Sequence, residues 1–265
     1  MLISNLRQML GTHKKTTNFG VLPEVSKYPI IIRAYIHIMK YWVRLLTTEN
    51  KLLQEIHIYE LQKRYKNKTS WFNMIENLLR YTDMINELDI GNIIAKPNIF
   101  LKKFQNAIQT KYDNFWKKCM SEMEGTKLDF YHNFKKIFKF EKYLDMLNKD
   151  KRKIISRFRL SAHSLPIERL RYKNTTREER ICKICNLNEI GDENHYLLKC
   201  ENKNIKRSRT EFKIKIQTIN PQFEYFDMEN CVNYCISMND ELMYGVTAQF
   251  IENILTIYEN EKFIN

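Results

Sequence analysis

Cys182, Cys185, His195 and Cys200 follow one another as C-x2-C-x9-H-x4-C within RICKICNLNEIGDENHYLLKC. Three thiolates and one imidazole are the donor set of tetrahedral structural zinc, so Zn2+ is the expected cofactor. Two cysteines separated by two residues can present both sulfurs to one ion from a tight knuckle, and Gly191 is expected to let the connection turn back toward it. His195 and Cys200 are five residues apart, about 140° round an ideal helix, so a helix spanning both must end or distort before Cys200. Four protein ligands leave no place for water, which argues against hydrolytic zinc. A cross-braced double site would need a second ligand set. Cys119 falls on an apolar helical stripe, and Cys231 and Cys235 lie one turn apart in a helical pattern, so these three read as small buried apolar side chains.

The metal motif sits in a basic belt. Residues 151–210 carry 16 Lys+Arg against 7 Asp+Glu, which is +9 of the chain's +13. Arg157, Arg159, Arg169, Arg171, Arg177 and Arg180 precede the cluster, and Lys203, Lys206, Arg207 and Arg209 follow it. Arginine holds a phosphate bidentately and stacks on bases, and the interleaved Phe158 and Tyr172 offer stacking of their own. A zinc knuckle flanked by phosphate-binding side chains is the expected picture, with RNA and DNA both fitting as partners; an acidic protein is the alternative partner for a basic face. His163 lies 19 residues before Cys182. It reads as a hydrogen-bonded side chain or a nucleic-acid contact rather than a fifth ligand.

The elements that must position these groups are helices. Hydrophobic residues make up 43% of the 265, enough for a packed core, while only 6 Gly and 5 Pro are too few for the tight turns of a sandwich or barrel. A helix after Lys27 is apolar nearly all round and should pack on more than one side. An amphipathic segment follows over 51–65. A third begins at Thr69 and Ser70 as N-caps, with Trp71, Ile75, Leu78, Leu79 and Met84 on one face. Gly91 and Pro97 should bracket a connection. From Phe100 to Met123 apolar residues recur at three- and four-residue steps for about six turns. Shorter helices are expected over 129–138 and 141–147, then a basic helix over 150–161 that Pro166 ends. The stretch 165–198 is poor in apolar periodicity, as if organised by a metal rather than a core. Helices resume after Cys200, with a break at Asn220 and Pro221. The expected architecture is mainly α in three parts: a helical bundle over 1–149, the belt and knuckle over 150–218, and C-terminal helices over 219–265 packing back on the bundle. The absence of an 18-residue apolar run and the thiol spacing suit a reduced protein of the nucleus or cytoplasm with no membrane partner.

The residues also resemble a family. RFRLSAHSLPIERLRY, then REERICKIC and ENHYLLKC, are similar in order and wording to the region downstream of the polymerase core in reverse transcriptases of non-LTR (LINE-type) animal retrotransposons. The shared succession is Arg-x-Arg, Ser-Ala-His, Ile-Glu, Arg-Tyr, a basic-acidic-acidic-basic run and C-C-H-C. MLGTHKKTTNFGVLPEVSKYPI resembles that family's segment just after the thumb, and the likeness runs from about residue 5 to 260. It implies that Cys182, Cys185, His195 and Cys200 are zinc ligands, and that Arg157, Arg159, His163, Glu168, Arg171, Arg177 and Arg180 occupy recurrent positions. It further implies a grip on element RNA and target DNA. Leu170 stands where the family usually has Gly, Lys27 where Arg is common, and the x9 spacing is slightly long.

Catalysis is not expected. A polymerase palm needs paired carboxylates for two metals, yet no Asp-Asp occurs, and Tyr81-Thr82-Asp83-Met84 falls in a helical pattern. Lys96-Pro97 is followed by Asn98 rather than the Asp of a restriction-like nuclease. Neither a P-loop nor an H-E-x-x-H motif is present. The chain therefore reads as a detached C-terminal part of such a polymerase that binds without catalysing. A helical protein-interaction scaffold and a non-functional retroelement remnant are the alternatives.

Overall fold

The computed structural model describes residues 2–63, 70–222 and 240–263. Along the chain run α1 (Leu2–Met9), α2 (Asn18–Glu24), α3 (Ile30–Thr47), α4 (Lys51–Lys63), α5 (Trp71–Tyr81), α6 (Ile90–Ala95), α7 (Pro97–Ser121), α8 (Asp129–Phe134), α9 (Tyr143–Met146), α10 (Lys149–Arg159), α11 (Pro166–Arg169), α12 (Lys203–Ile219) and α13 (Glu241–Glu261). Single 3-10 turns occupy Ile85–Glu87 and Leu170–Tyr172. The fold is mainly α, and among the described residues the sole β pairing is one isolated bridge, Ile181 to Ile190. No described helix is long and apolar enough to cross a membrane. Tyr65, Thr69, Cys231 and Cys235 lie outside the described residues.

The chain forms two compact units, one of residues 27–118 and one of 1–26 with 119–265. These boundaries differ from the three consecutive parts read from the sequence. The physical reason is that α13 packs on both α10 and α12, so the belt and the tail share one core.

In the unit of 27–118, Trp42 is wholly buried and meets Phe72 and Phe100 edge-on, at centroid distances of 6.3 and 6.1 Å. Around it lie Met39, Val43, Ile75, Leu79, Phe104 and Ile108. Ser70 caps α5 by accepting from the Asn73 N–H at 3.3 Å. As expected, α3 packs on more than one side, against α4, α5 and α6, while Ile30, Ile31 and Tyr41 are exposed. The connection expected between Gly91 and Pro97 is instead α6, capped by Asp89 through the Asn92 N–H at 3.2 Å and burying Ile93. Pro97 opens α7, where its missing N–H costs no intrahelical bond. Asp83, in a left-handed turn at φ 58°, pairs with Lys111 at 2.6 Å.

In the other unit, α12 and α13 pack through a stacked Phe212–Phe250 pair at 4.3 Å and the buried Ile205, Ile216, Ile251 and Ile254. Leu165, Ile167, Ile184, Tyr196 and Leu197 belong to the same core, so 165–198 is built on apolar packing as well as on the thiols, contrary to its sparse periodicity. Pro166 starts α11 rather than simply ending α10, which stops at Arg159. Leu170 keeps right-handed backbone at φ −85°, a conformation that asks for no glycine.

A largely buried polar network closes this unit. Arg159 is 1% exposed and Glu24 0%. The Arg159 Nη2 donates to Glu24 Oε1 at 2.8 Å and meets Glu141 Oε2 at 3.0 Å. Tyr131 donates to Glu24 Oε1 at 2.8 Å, Tyr143 donates to the other carboxylate oxygen, and Lys135 pairs with Glu141. Burial alone would raise the Glu24 carboxyl, but the charges of Arg159 and Lys135, with hydrogen bonds from Arg159 and Tyr143, outweigh it and lower the pKa. A depressed folded-state pKa contributes stability that is complete above the unfolded value, about pH 4.5, and is lost as pH falls through the folded one. Glu24→Ala, which leaves Arg159 buried without its main partner, is expected to cost about 3–5 kcal/mol in urea unfolding. The wild-type advantage over Glu24→Ala should shrink below pH 4.5, and an advantage unchanged at pH 3 would show that the network does not titrate with Glu24.

Candidate metal centre

Two short local structures face each other. In the first, the Cys182 N–H donates to Glu189 O at 2.9 Å and the Gly191 N–H to Arg180 O at 2.8 Å, closing a loop that starts on the two cysteines. Gly191 does not supply the turning freedom expected of it, because its φ is not in the left-handed region. It supplies room instead: a Cβ there would lie 2.8 Å from Pro166 Cγ and 3.2 Å from the Cys182 Cα. The second is a π-turn over His195–Lys199, in which the Cys200 N–H donates to His195 O at 2.7 Å. Asp192 Oδ1 starts the turn by accepting from the His195 N–H at 2.8 Å. Its wide i→i+5 closure is the distortion that the five-residue spacing demands, and it carries Cys200 round toward His195.

The three sulfurs and one imidazole nitrogen all lie within 4.8 Å of one another. Cys182 Sγ is 4.0 Å from Cys200 Sγ, and Cys185 Sγ is 3.4 Å from His195 Nε2. A tetrahedral ion with bonds of about 2.3 Å to sulfur and about 2.0 Å to nitrogen needs edges of roughly 3.5–3.8 Å, so the donors fit one ion. His195 Nδ1 lies 3.1 Å from Glu189 Oε2, an orientation that leaves Nε2 as the ligand nitrogen. Cys182, His195 and Cys200 are buried and Cys185 is half-buried. Chiefly through the hydrogen bond from Cys200, the Cys182 thiol is pulled down to about 3, while the same pairing pushes Cys200 up. Burial works against charge on His195, yet its hydrogen-bonding neighbours Cys182 and Glu189 raise its pKa. The group is able to hold a metal ion, with every position taken by protein.

The belt is used largely from within. Arg209 donates to Leu197 O at 2.8 Å and Cys200 O at 3.2 Å, capping the π-turn. Arg180 donates to Thr175 O at 2.9 Å and Ile167 O at 3.3 Å. Arg177 joins Asp129 at 2.7 Å and Asp192 at 3.8 Å, and Arg171 joins Glu168 at 2.9 Å. Arg169 lies over the Tyr258 ring at 5.9 Å. Arg157 is exposed and donates to Gly11 O at 2.5 Å. Lys206 and Arg207 are exposed and pair with Glu201 and Glu211 at 2.6 and 3.0 Å. Two expected contacts are corrected: Arg159 sits inside the Glu24 network, and the His163 side chain is 0% exposed. His163 Nδ1 accepts from the Leu165 N–H, so Nε2 donates to Glu193 at 2.9 Å. Burial opposes charge on Glu193, but the electrostatic influence of nearby His163 and hydrogen bonds from His163 and Ser161 lower its pKa. Phe158 is wholly buried and offers no stacking face, whereas Tyr172 is 46% exposed. Glu189 and Asp192 escaped the sequence reading, although acids inside the x9 loop were the available signal.

Cys185→Ser is expected to abolish bound metal by elemental analysis and to open 181–200 to protease, since structural zinc contributes on the order of 10 kcal/mol of apparent binding free energy. Glu189→Gln should retain the fold and weaken metal affinity about 10–100-fold in chelator competition. Gly191→Ala should cost about 1–3 kcal/mol of stability through the contacts with Pro166 and the Cys182 backbone, and unchanged melting would refute that account. No family model, curated protein or solved structure matches the chain.

Proposed function

We propose that the protein is a zinc-stabilised nucleic-acid-binding module that binds without catalysing, as its resemblance to the post-polymerase region of non-LTR retrotransposon reverse transcriptases implies. The observation that carries this reading is the convergence of Cys182, Cys185, His195 and Cys200 inside a segment of net charge +9. Zinc suits the donors because thiolate and imidazole favour it and because no open coordination position calls for redox or hydrolytic chemistry. The metal holds the knuckle, Arg209 and Arg180 tie it to α12 and α11, and the exposed Arg157, Lys206 and Arg207 can exchange Gly11 O and their surface ion pairs with Glu201 and Glu211 for phosphates. A helical interaction scaffold is the second reading, favoured by the exposed Leu52 and Ile56 one turn apart on α4.

Fluorescence anisotropy with a structured RNA and a DNA duplex, across salt and before and after chelation, tests the proposal. Binding should fall linearly on log-log axes with salt and collapse when zinc is removed. Reversing Lys206 and Arg207 to Glu should weaken binding to all sequences and lower the salt slope by about 1–2. Absence of binding at low salt would favour the scaffold.

A further inference from the structure

The loop after α1 was not part of the belt in sequence, yet it lies against it. Its start is pinned on α10: Arg157 donates to Gly11 O, and Gly11, at φ 67°, sits where a Cβ would be 2.8 Å from Lys153 Cγ. Its far side reaches Tyr172. Lys15 Nζ stands 3.8 Å from the centroid of that ring, and Lys127 Nζ lies 3.3 Å from its hydroxyl. Beneath them Glu168, 2% exposed, gathers His13 at 3.4 Å, Arg171 at 2.9 Å and Lys127. The acid is thus buried and shared, while Lys15 stands over an exposed aromatic ring whose chain neighbour Lys173, like Lys14 next to Lys15, is exposed.

We propose that loop 13–15 and Tyr172 form a contact surface for single-stranded nucleic acid, with an unpaired base stacked on the Tyr172 ring and the neighbouring phosphates on Lys14, Lys15 and Lys173. This rests on the nucleic-acid reading above and names the strand form it takes. A cation over an exposed ring contributes little in water, so a base can replace Lys15 on the ring while the ammonium moves to a phosphate. A duplex keeps its base faces inside the stack and can use only the lysines. The ring therefore selects unpaired strands. Glu168 accepts from the Tyr172 hydroxyl at 3.3 Å, a contact at the edge of the ring that leaves the stacking to the ring itself.

The test is anisotropy of the full zinc-loaded chain with a labelled uridine 20-mer and a 20-base-pair DNA duplex. Tyr172→Ala should weaken uridine binding about tenfold, the loss of one base–aromatic stack, and leave duplex binding unchanged, whereas Tyr172→Phe should bind as wild type. Lys14→Ala with Lys15→Ala should lower the uridine salt slope by about 1.4. Should Tyr172→Ala lose its thermal transition, the double lysine variant and Tyr172→Phe decide the matter. Equal uridine affinity for wild type and a folded Tyr172→Ala overturns the inference alone, as does equal loss in Tyr172→Phe. A double lysine variant that loses binding to anionic vesicles or to an acidic peptide, but not to uridine, also overturns it. Wild type binding neither probe overturns this inference together with the reading beneath it.

Discussion

The Glu24 carboxylate in the grip of Arg159 is the constraint on which the larger unit depends. Both groups are desolvated, so each exists in charged form only because the other, with Glu141, Lys135 and two tyrosine hydroxyls, supplies what water would have. Such a pair adds little stability over well-packed apolar residues, but it tolerates no other arrangement. It fixes α2, α8, α9 and α10 at one point, and α10 is the helix from which the belt continues. The knuckle's placement follows, because α13 packs on α10 and reaches the π-turn through Tyr258 and Tyr196 at 5.5 Å.

The arginines then appear in a different light from that of a charge count. Arg209 and Arg180 satisfy carbonyls that irregular backbone leaves open, Arg177 neutralises Asp129 from another segment, and Arg171 neutralises the buried Glu168 three residues before it. A metal site with so little regular structure around it needs such donors, since a thiolate cluster orders only its own ligands. The basic belt is therefore partly the knuckle's internal scaffolding, and its exposed cations lie at its margin and on the loop after α1.

The sequence made the ligand set legible because metal ligation imposes spacing, and the angular misfit of His195 and Cys200 required a helix there to end or distort, which it does as a π-turn. Helix type was equally plain in the four-residue recurrence of Phe100, Phe104 and Ile108. Partners were not legible. Arg159 meets an acid 135 positions away and Arg177 one 48 positions away, and no local pattern marks such pairs. Net charge counts a buried arginine and an exposed one alike. Helix α6 was hidden by Gly91, whose helical cost is small beside an Asp cap and a buried Ile93. The unit boundaries were hidden for the same reason as the ion pairs, since they depend on which distant segments share a core.

The division of the chain bears on the order in which it can assemble. Residues 27–118 are contiguous, and the core around Trp42 is drawn wholly from that stretch. The other unit is split by them, so Glu24 leaves the ribosome long before Arg159 is synthesised, and the face of α10 that meets α13 waits until α13 has been made. Folding of the inner segment first leaves α1 and α2 unpaired until α10 has been made. An early stop that removes α13 would thus leave the inserted unit intact while α10, α12 and the metal ligands between them lost the surface they are packed against.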